Sequence, residues 1–196
     1  MKYPTSVKAN GKIYRLNTDF RVAIECNRIT MDKSITNAEK SLAVIYLLYG
    51  DEGLEHDEDY EELLKLAEKF LLCGKDPRET YQREEPDMDY IQDEKYIESS
   101  FKYDYQYDPY KMEYLHWWEF FNDLNNLSNS EMGDCCILNR VRNLRNYDTS
   151  KIKDYKEREK IEKAKKEVAL KKNVKREFTS EQVKNNEEFY KLIERK

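Results

Sequence analysis

Apolar residues recur at spacings of three and four along most of this chain, and that period commits it to packed helices rather than sheets. The clearest stripe is Tyr60, Leu63, Leu64, Ala67, Phe70 and Leu71, which predicts a helix over about 57–73 with Gly74 as its cap. Phe20, Ala23, Ile24 and Asn27 predict another over about 18–30. Thr36 followed by Glu39 is a capping box. It opens a helix whose stripe is Leu42, Ile45, Tyr46 and Tyr49 and which Gly50 and Gly53 close. Tyr90, Ile97, Phe101 and Tyr105 predict a helix over about 90–105. Asp108-Pro109 pairs an N-cap with a proline suited to a first helical position. It predicts one continuous helix carrying Tyr110, Tyr114, Trp117, Phe121 and Leu124 at spacings of 4, 3, 4 and 3. Trp117, Trp118 and Phe121 are expected at the centre of the core. Cys136, Ile137, Val141 and Leu144 predict a last core helix over about 131–145.

Five glycines and four prolines in 196 residues leave little room for the many tight turns of an all-β fold. The exception is Asn10-Gly11, a two-residue turn between Ser6-Val7-Lys8 and Lys12-Ile13-Tyr14-Arg15-Leu16, which predicts a β-hairpin. Two strands are marginal alone, so the hairpin must pack on a helix. The expected fold is mainly α: a multi-helix globular domain over residues 1–148 with a small N-terminal hairpin and a polar connector near 75–88. A charged helical arm follows over 149–196. Its stripe of Ile161, Ala164 and Val168 is too narrow to bury a helix, so the arm is expected to project and to pack on a partner or a second subunit, making an oligomer. A second cap, Thr179 to Gln182, precedes Phe189, Tyr190, Leu192 and Ile193.

The formal charge of -5 hides an asymmetry. Asp51 to Glu113 holds 21 acidic and 8 basic residues, a net of -13, while Lys151 to Lys196 holds 10 acidic and 16 basic, a net of +6. The two segments could therefore steer different partners. In the basic arm Glu157, Glu159, Glu162 and Glu167 interleave with the lysines, which describes an exposed helix laced with ion pairs better than a phosphate-binding stripe. Nucleic acid is not an expected partner. The longest apolar run, Leu42 to Tyr49, is far short of the roughly 20 residues a bilayer demands. The N-terminus lacks a secretory apolar region, so a cytoplasmic protein with free thiols is expected.

Chemistry-bearing patterns are not found. There is no glycine-rich phosphate loop and no nucleophile elbow, and Cys26, Cys73, Cys135 and Cys136 lack zinc spacing. His56 and His116 have no metal-ligand partner three or four residues away, and His116 is expected at or near the surface beside Glu119 and Asp123. Glu84, Glu85, Asp87, Asp89, Asp93 and Glu94 read as a solvated helix face. No catalytic, cofactor-binding or metal-binding residue is predicted, and the protein is expected not to be an enzyme. The stretch from Tyr103 to Tyr110 admits two readings. Its aromatic rings pack into the core, or Tyr103, Asp104, Tyr107 and Asp108 form an exposed tyrosine-acidic surface that binds a protein.

Three segments carry a more specific pattern: NGKIYRLNTDFR (Asn10 to Arg21), DYIQDEKYIESSF (Asp89 to Phe101) and YLHWWEFFNDL (Tyr114 to Leu124). Together they resemble the phage family known generically as gene-product-fifteen proteins, over roughly residues 3 to 170. The resemblance implies a tail assembly protein encoded beside the tape-measure gene of long-tailed phages. By that position it implies a chaperone that binds the tape-measure protein and helps to recruit tail-tube protein around it. It marks Asp19, Phe20, Arg21, Tyr114, His116, Trp117 and Trp118 as motif residues and candidate contacts. The alternative is an acidic, tyrosine-rich phage inhibitor that imitates a phosphate backbone against a host nucleic-acid-binding enzyme.

Overall fold

The structure, a computed structural model, describes residues 3–75, 86–129 and 135–171. It is mainly helical, with one two-stranded antiparallel sheet at the N-terminus. Strands β1 (Ser6–Ala9) and β2 (Lys12–Arg15) pair in the register Val7 to Tyr14 and Ala9 to Lys12. Asn10 and Gly11 both take positive φ between them, as a primed turn requires. The side chains of Asn10 and Tyr14 both donate to the Asp59 carboxylate, at 2.8 and 2.5 Å, and so anchor the hairpin to the helical body.

Four helices follow: α1 (Phe20–Met31), α2 (Asn37–Tyr49), the short α3 (Asp51–Glu55) and α4 (Tyr60–Leu71). The Thr36–Glu39 capping box is present in both directions. Gly50 ends α2 with positive φ, but Gly53 does not break anything: it is buried inside α3, where an added Cβ would lie 2.8 Å from Ile45 Cγ2 and from Tyr49 Cβ. The missing side chain lets α3 lie directly on α2. At the other end of this group the chain leaves α4 through left-handed Cys73 and Gly74.

The second group comprises α5 (Glu94–Tyr105), α6 (Trp117–Asn125), α7 (Ile137–Asn146) and α8 (Tyr155–Val168). Three helix starts differ from the periodicity. Tyr90 to Asp93 form a turn rather than the first turn of α5, because Asp89 Oδ1 accepts the N–H groups of Ile91 and Gln92 while Asp93 Oδ2 accepts that of Asp89. Asp93, expected on a solvated face, is buried and paired bidentately with Arg145 at 2.7 Å per bond. Helix α7 starts at Ile137, since Cys135 bridges Asn129 and Cys136 N–H is held by the Ser128 carbonyl.

The largest difference lies at Asp108-Pro109. The pair starts one 3-10 turn, Pro109–Lys111, and the chain then bends at Met112 and Glu113 and continues without helix to His116. Tyr110 and Tyr114 therefore lie outside the helix that carries Trp117, and the buried face of α6 is Trp117, Phe120 and Leu124. Phe121 and Trp118 are half-buried at its flanks. Phe120 takes the central place: its ring stacks on Phe20 at 4.4 Å, on Phe101 at 5.3 Å and on Trp117 at 6.0 Å. Helix α6 packs on both α1 and α5, so this aromatic cluster joins the two helical groups into one core.

The arm does not project over its described part. Helix α8 lies against α7, and Ile161, Ala164 and Val168 are half-buried there, although none of its residues is fully buried. Its far end is fastened by polar contacts: Arg145 Nε to the Val168 carbonyl at 2.7 Å, and a reciprocal pair between Gln92 and the backbone of Lys171. Most of the expected connector, the interval 130–134 and the cap with apolar residues expected beyond 171 lie outside the described residues.

Candidate functional site

Two of the segments singled out in the sequence, Thr18–Arg21 and Tyr114–Trp118, lie 96 residues apart and meet side by side. Phe20 N–H donates to the Leu115 carbonyl at 3.0 Å and Trp117 N–H to the Thr18 carbonyl at 2.8 Å, with Asp19 opposite His116. Each extended segment runs straight into a helix, so the joint sets the starts of α1 and α6 next to each other. Both starts are capped by a residue of the joint. Asp19 Oδ1 accepts the Arg21 N–H at 2.9 Å, and His116 Nδ1 accepts the Trp118 N–H at 3.0 Å.

Arg21 closes the joint. Its Nη1 sits on both Asp19 carboxylate oxygens at 3.1 and 3.0 Å, its Nη2 donates to the Met112 carbonyl at 2.5 Å and the Tyr110 carbonyl at 3.3 Å, and its guanidinium lies over the Phe20 ring at 4.7 Å. A five-donor fork is the side chain suited to that many acceptors. These contacts hold the 112–114 segment out of helix after the single 3-10 turn, which is why the predicted continuous helix is broken.

His116 was expected near the surface and is instead 5% exposed. Capping fixes its tautomer: with Nδ1 accepting, Nε2 carries the proton and donates to the Pro4 carbonyl at 3.0 Å. Its ring stacks on Tyr3 at 4.9 Å. Glu119, three residues after His116, gave the spacing of a capping box, but histidine is not a customary first member. The two indoles finish α4: Trp117 Nε1 donates to the Leu71 carbonyl at 3.0 Å and Trp118 Nε1 to the Phe70 carbonyl at 2.9 Å. The Leu71 carbonyl lies at a helix end with no further turn to satisfy it, whereas the Phe70 carbonyl also accepts the Cys73 N–H at 3.0 Å. The Trp118 ring also covers Gly74, where a Cβ would come within 3.1 Å of it. Of the seven motif residues, Tyr114 is the exposed one, at 49%, with its hydroxyl 2.6 Å from Thr18 Oγ1.

The expected tyrosine-acidic surface is mostly internal structure. Tyr103 is exposed. Asp104 instead accepts from Ser128 N–H and Oγ at 2.7 and 2.9 Å, and Tyr107 donates to Asp123 Oδ2 at 2.6 Å. Burial and that carboxylate push the Tyr107 phenol well above its ordinary range. Asp108 caps the 3-10 turn through the Tyr110 N–H at 3.1 Å and pairs with Lys102 at 3.0 Å. Alternation in sequence could not reveal this, because the stretch spans a helix end and a turn.

Beside the joint an open groove of about 660 Å³ runs between the end of β2 and the C-terminal turn of α2. Arg15, Thr18, Leu47, Tyr49, Asp51 and Tyr114 are among its lining residues. Among the described residues no group of three or more His, Cys, Asp or Glu is placed to hold a metal ion. Burial pushes the Cys73 thiol up to about 12 and the Cys26 thiol higher, so neither is a thiolate near neutral pH. No described helix is long and apolar enough to cross a membrane.

Compared with known proteins, residues 2–170 match a family model described as "Bacteriophage Gp15 protein". No curated protein and no solved structure matches the chain.

Proposed function

The chain belongs to the bacteriophage Gp15 protein family, and on that premise we propose that it is a tail assembly protein that works by binding other proteins. In this reading it acts in the host cytoplasm during assembly as a non-enzymatic chaperone. It keeps the tape-measure protein soluble and helps to recruit tail-tube subunits around it, without cofactor or turnover. The family match carries the reading, since it agrees with the motifs that imply a gene beside the tape measure. The geometry of the joint supports it in a second way. Asp19, Arg21, His116 and both indoles are occupied in holding two helix starts and one helix end, so the family signature specifies a scaffold. What such a scaffold presents outward is surface, including Tyr114 and the groove beside it.

Affinity capture of the full chain from phage-producing cells tests this. Recovery of tape-measure and tail-tube proteins supports the proposal, and so does a tailless or short-tailed phenotype when the gene is deleted. Recovery of a nuclease or polymerase in their place would move the assignment to the acidic inhibitor. That alternative has lost part of its surface, since Asp104, Tyr107 and Asp108 are engaged internally, although Asp51, Glu52, Glu55 and Glu58 stay exposed.

A further inference from the structure

Among the described residues the hairpin has an unoccupied strand edge, with Arg15 at the groove, and we infer that a partner protein adds an extended segment there as a third strand. The argument starts from register. A two-residue turn closed by Ala9 and Lys12 makes that pair exchange its hydrogen bonds, and Val7 with Tyr14 the next. The Leu16 N–H to Thr5 carbonyl bond at 2.9 Å continues the same parity. Ile13 and Arg15 fall between these pairs, so their N–H and C=O groups point away from β1. None of these four groups has a hydrogen-bond partner among the described residues. The next residue of that parity, Asn17, confirms the direction, because its N–H reaches across to the Leu48 carbonyl at the end of α2.

The edge is therefore two donors and two acceptors in strand spacing, bounded at one end by the α2 terminus. A side chain cannot satisfy such an alternation; an extended backbone can. The platform is also rigid beforehand, since Asn10 and Tyr14 tie the hairpin to Asp59. The opposite edge, on β1, is less suited because β1 packs against α4. Side chains of an added strand alternate. Those on the inner side reach the groove, where Leu47 and Tyr114 stand among Arg15, Thr18 and Asp51, and those on the outer side lie beside Ile13, which is 67% exposed and favours an apolar residue. The preferred partner segment is an extended one with apolar residues at every second position. This rests on the protein-binding reading above and adds the mode of recognition to it.

The test uses the full chain, a set of overlapping twelve-residue peptides covering the phage's tape-measure and tail-tube proteins, and the two intact proteins. Binding is read by fluorescence anisotropy and backbone-amide hydrogen exchange. In the free chain the Ile13 and Arg15 amides should exchange fast, and peptides with alternating apolar residues should protect them while Tyr14 changes little. Proline at positions 13 and 15 removes both outward donors and leaves the β1 pairing intact, as prolines on strand edges do. It should weaken peptide binding at least about tenfold. Wild-type exchange decides the matter without this variant if it misfolds. Undiminished binding by the proline variant, or bound peptide without protection at Ile13 and Arg15, overturns the inference. If the intact proteins bind and no peptide does, the edge inference falls while the assembly reading stands. If neither binds, both fall. Protection of these amides in the protein alone at high concentration would assign the edge to a second copy instead.

Discussion

Phe120 and Phe121 are neighbours in sequence, and truncating each in turn measures where the core lies. The Phe120 ring is fully buried and touches Trp117 of its own helix together with Phe20 of α1 and Phe101 of α5. Phe120→Ala removes that ring from a site that cannot collapse easily, because its neighbours are held by their own helices. The expected cost is about 3–5 kcal/mol. Phe121 is half-buried at the margin of the same cluster, and its loss leaves a notch open to water rather than a cavity. Half of a phenylalanine's transfer free energy is about 1 kcal/mol. At roughly 2–4 °C per kcal/mol for a chain of this size, Phe120→Ala should lower Tm by roughly 6–20 °C and Phe121→Ala by roughly 2–4 °C. Thermal unfolding followed by circular dichroism, with urea midpoints at constant m as a check, gives both values. The uninterrupted helix from Pro109 predicts the reverse order, because its stripe places Phe121 inward. Equal effects, or a larger one at Phe121, would refute the break at Met112 to His116 and with it the joint.

Four further outcomes are expected. Asp59 is held below its ordinary carboxylate range, first by the Tyr14 hydroxyl and then by Asn10, so its contribution to stability is present above about pH 4 and is lost as pH falls through the depressed value. Tyr14→Phe should therefore be less stable than wild type at pH 7, and the difference should shrink towards pH 3; a gap constant across that range would show that the bond carries no linkage. Gly53→Ala should cost about 1–3 kcal/mol because the new methyl meets Ile45 and Tyr49 at 2.8 Å, and an unchanged Tm would mean that α3 moves freely on α2. His116→Ala removes the α6 cap and the Pro4 tether and should cost about 0.5–2 kcal/mol; loss of tape-measure binding at unchanged stability would make His116 a partner contact instead. Truncation after Asp148 should leave the rest folded, since α8 has no fully buried residue, and should weaken any self-association seen by light scattering. Monomers in both forms would remove the arm from assembly.

Much of the architecture was legible in the residues alone, and for local reasons. The turn at Asn10-Gly11 needs two positive φ angles that few other pairs supply, the Thr36–Glu39 box is a reciprocal bond between neighbours, and the stripe from Tyr60 to Leu71 follows one helix. Each is settled within a dozen residues, and each stands where the pattern placed it. The three motif segments were likewise visible as strings, and the family follows from them.

What the strings could not convey is what their residues touch. Asp108-Pro109 is as good a helix start locally as Thr36–Glu39, yet only one turn forms after it. Arg21, some 90 residues away, takes the carbonyls of Tyr110 and Met112, and Thr18 and Phe20 pair with Leu115 and Trp117. Those bonds between distant segments outweigh about 0.5 kcal/mol of helix propensity per residue. They also turn His116 from a surface residue into a buried cap and shift the core face from Phe121 to Phe120. The same holds for Asp93, whose acidic neighbours suggested solvent until Arg145 arrived from α7. The helix period of Tyr60 to Leu71, the Thr36–Glu39 box and the Asn10-Gly11 turn are short-range and could be read from neighbouring residues. The register of the joint, the partners of buried charges and the open edge of β2 depend on which distant groups fill a donor or acceptor, and only the assembled chain decides that.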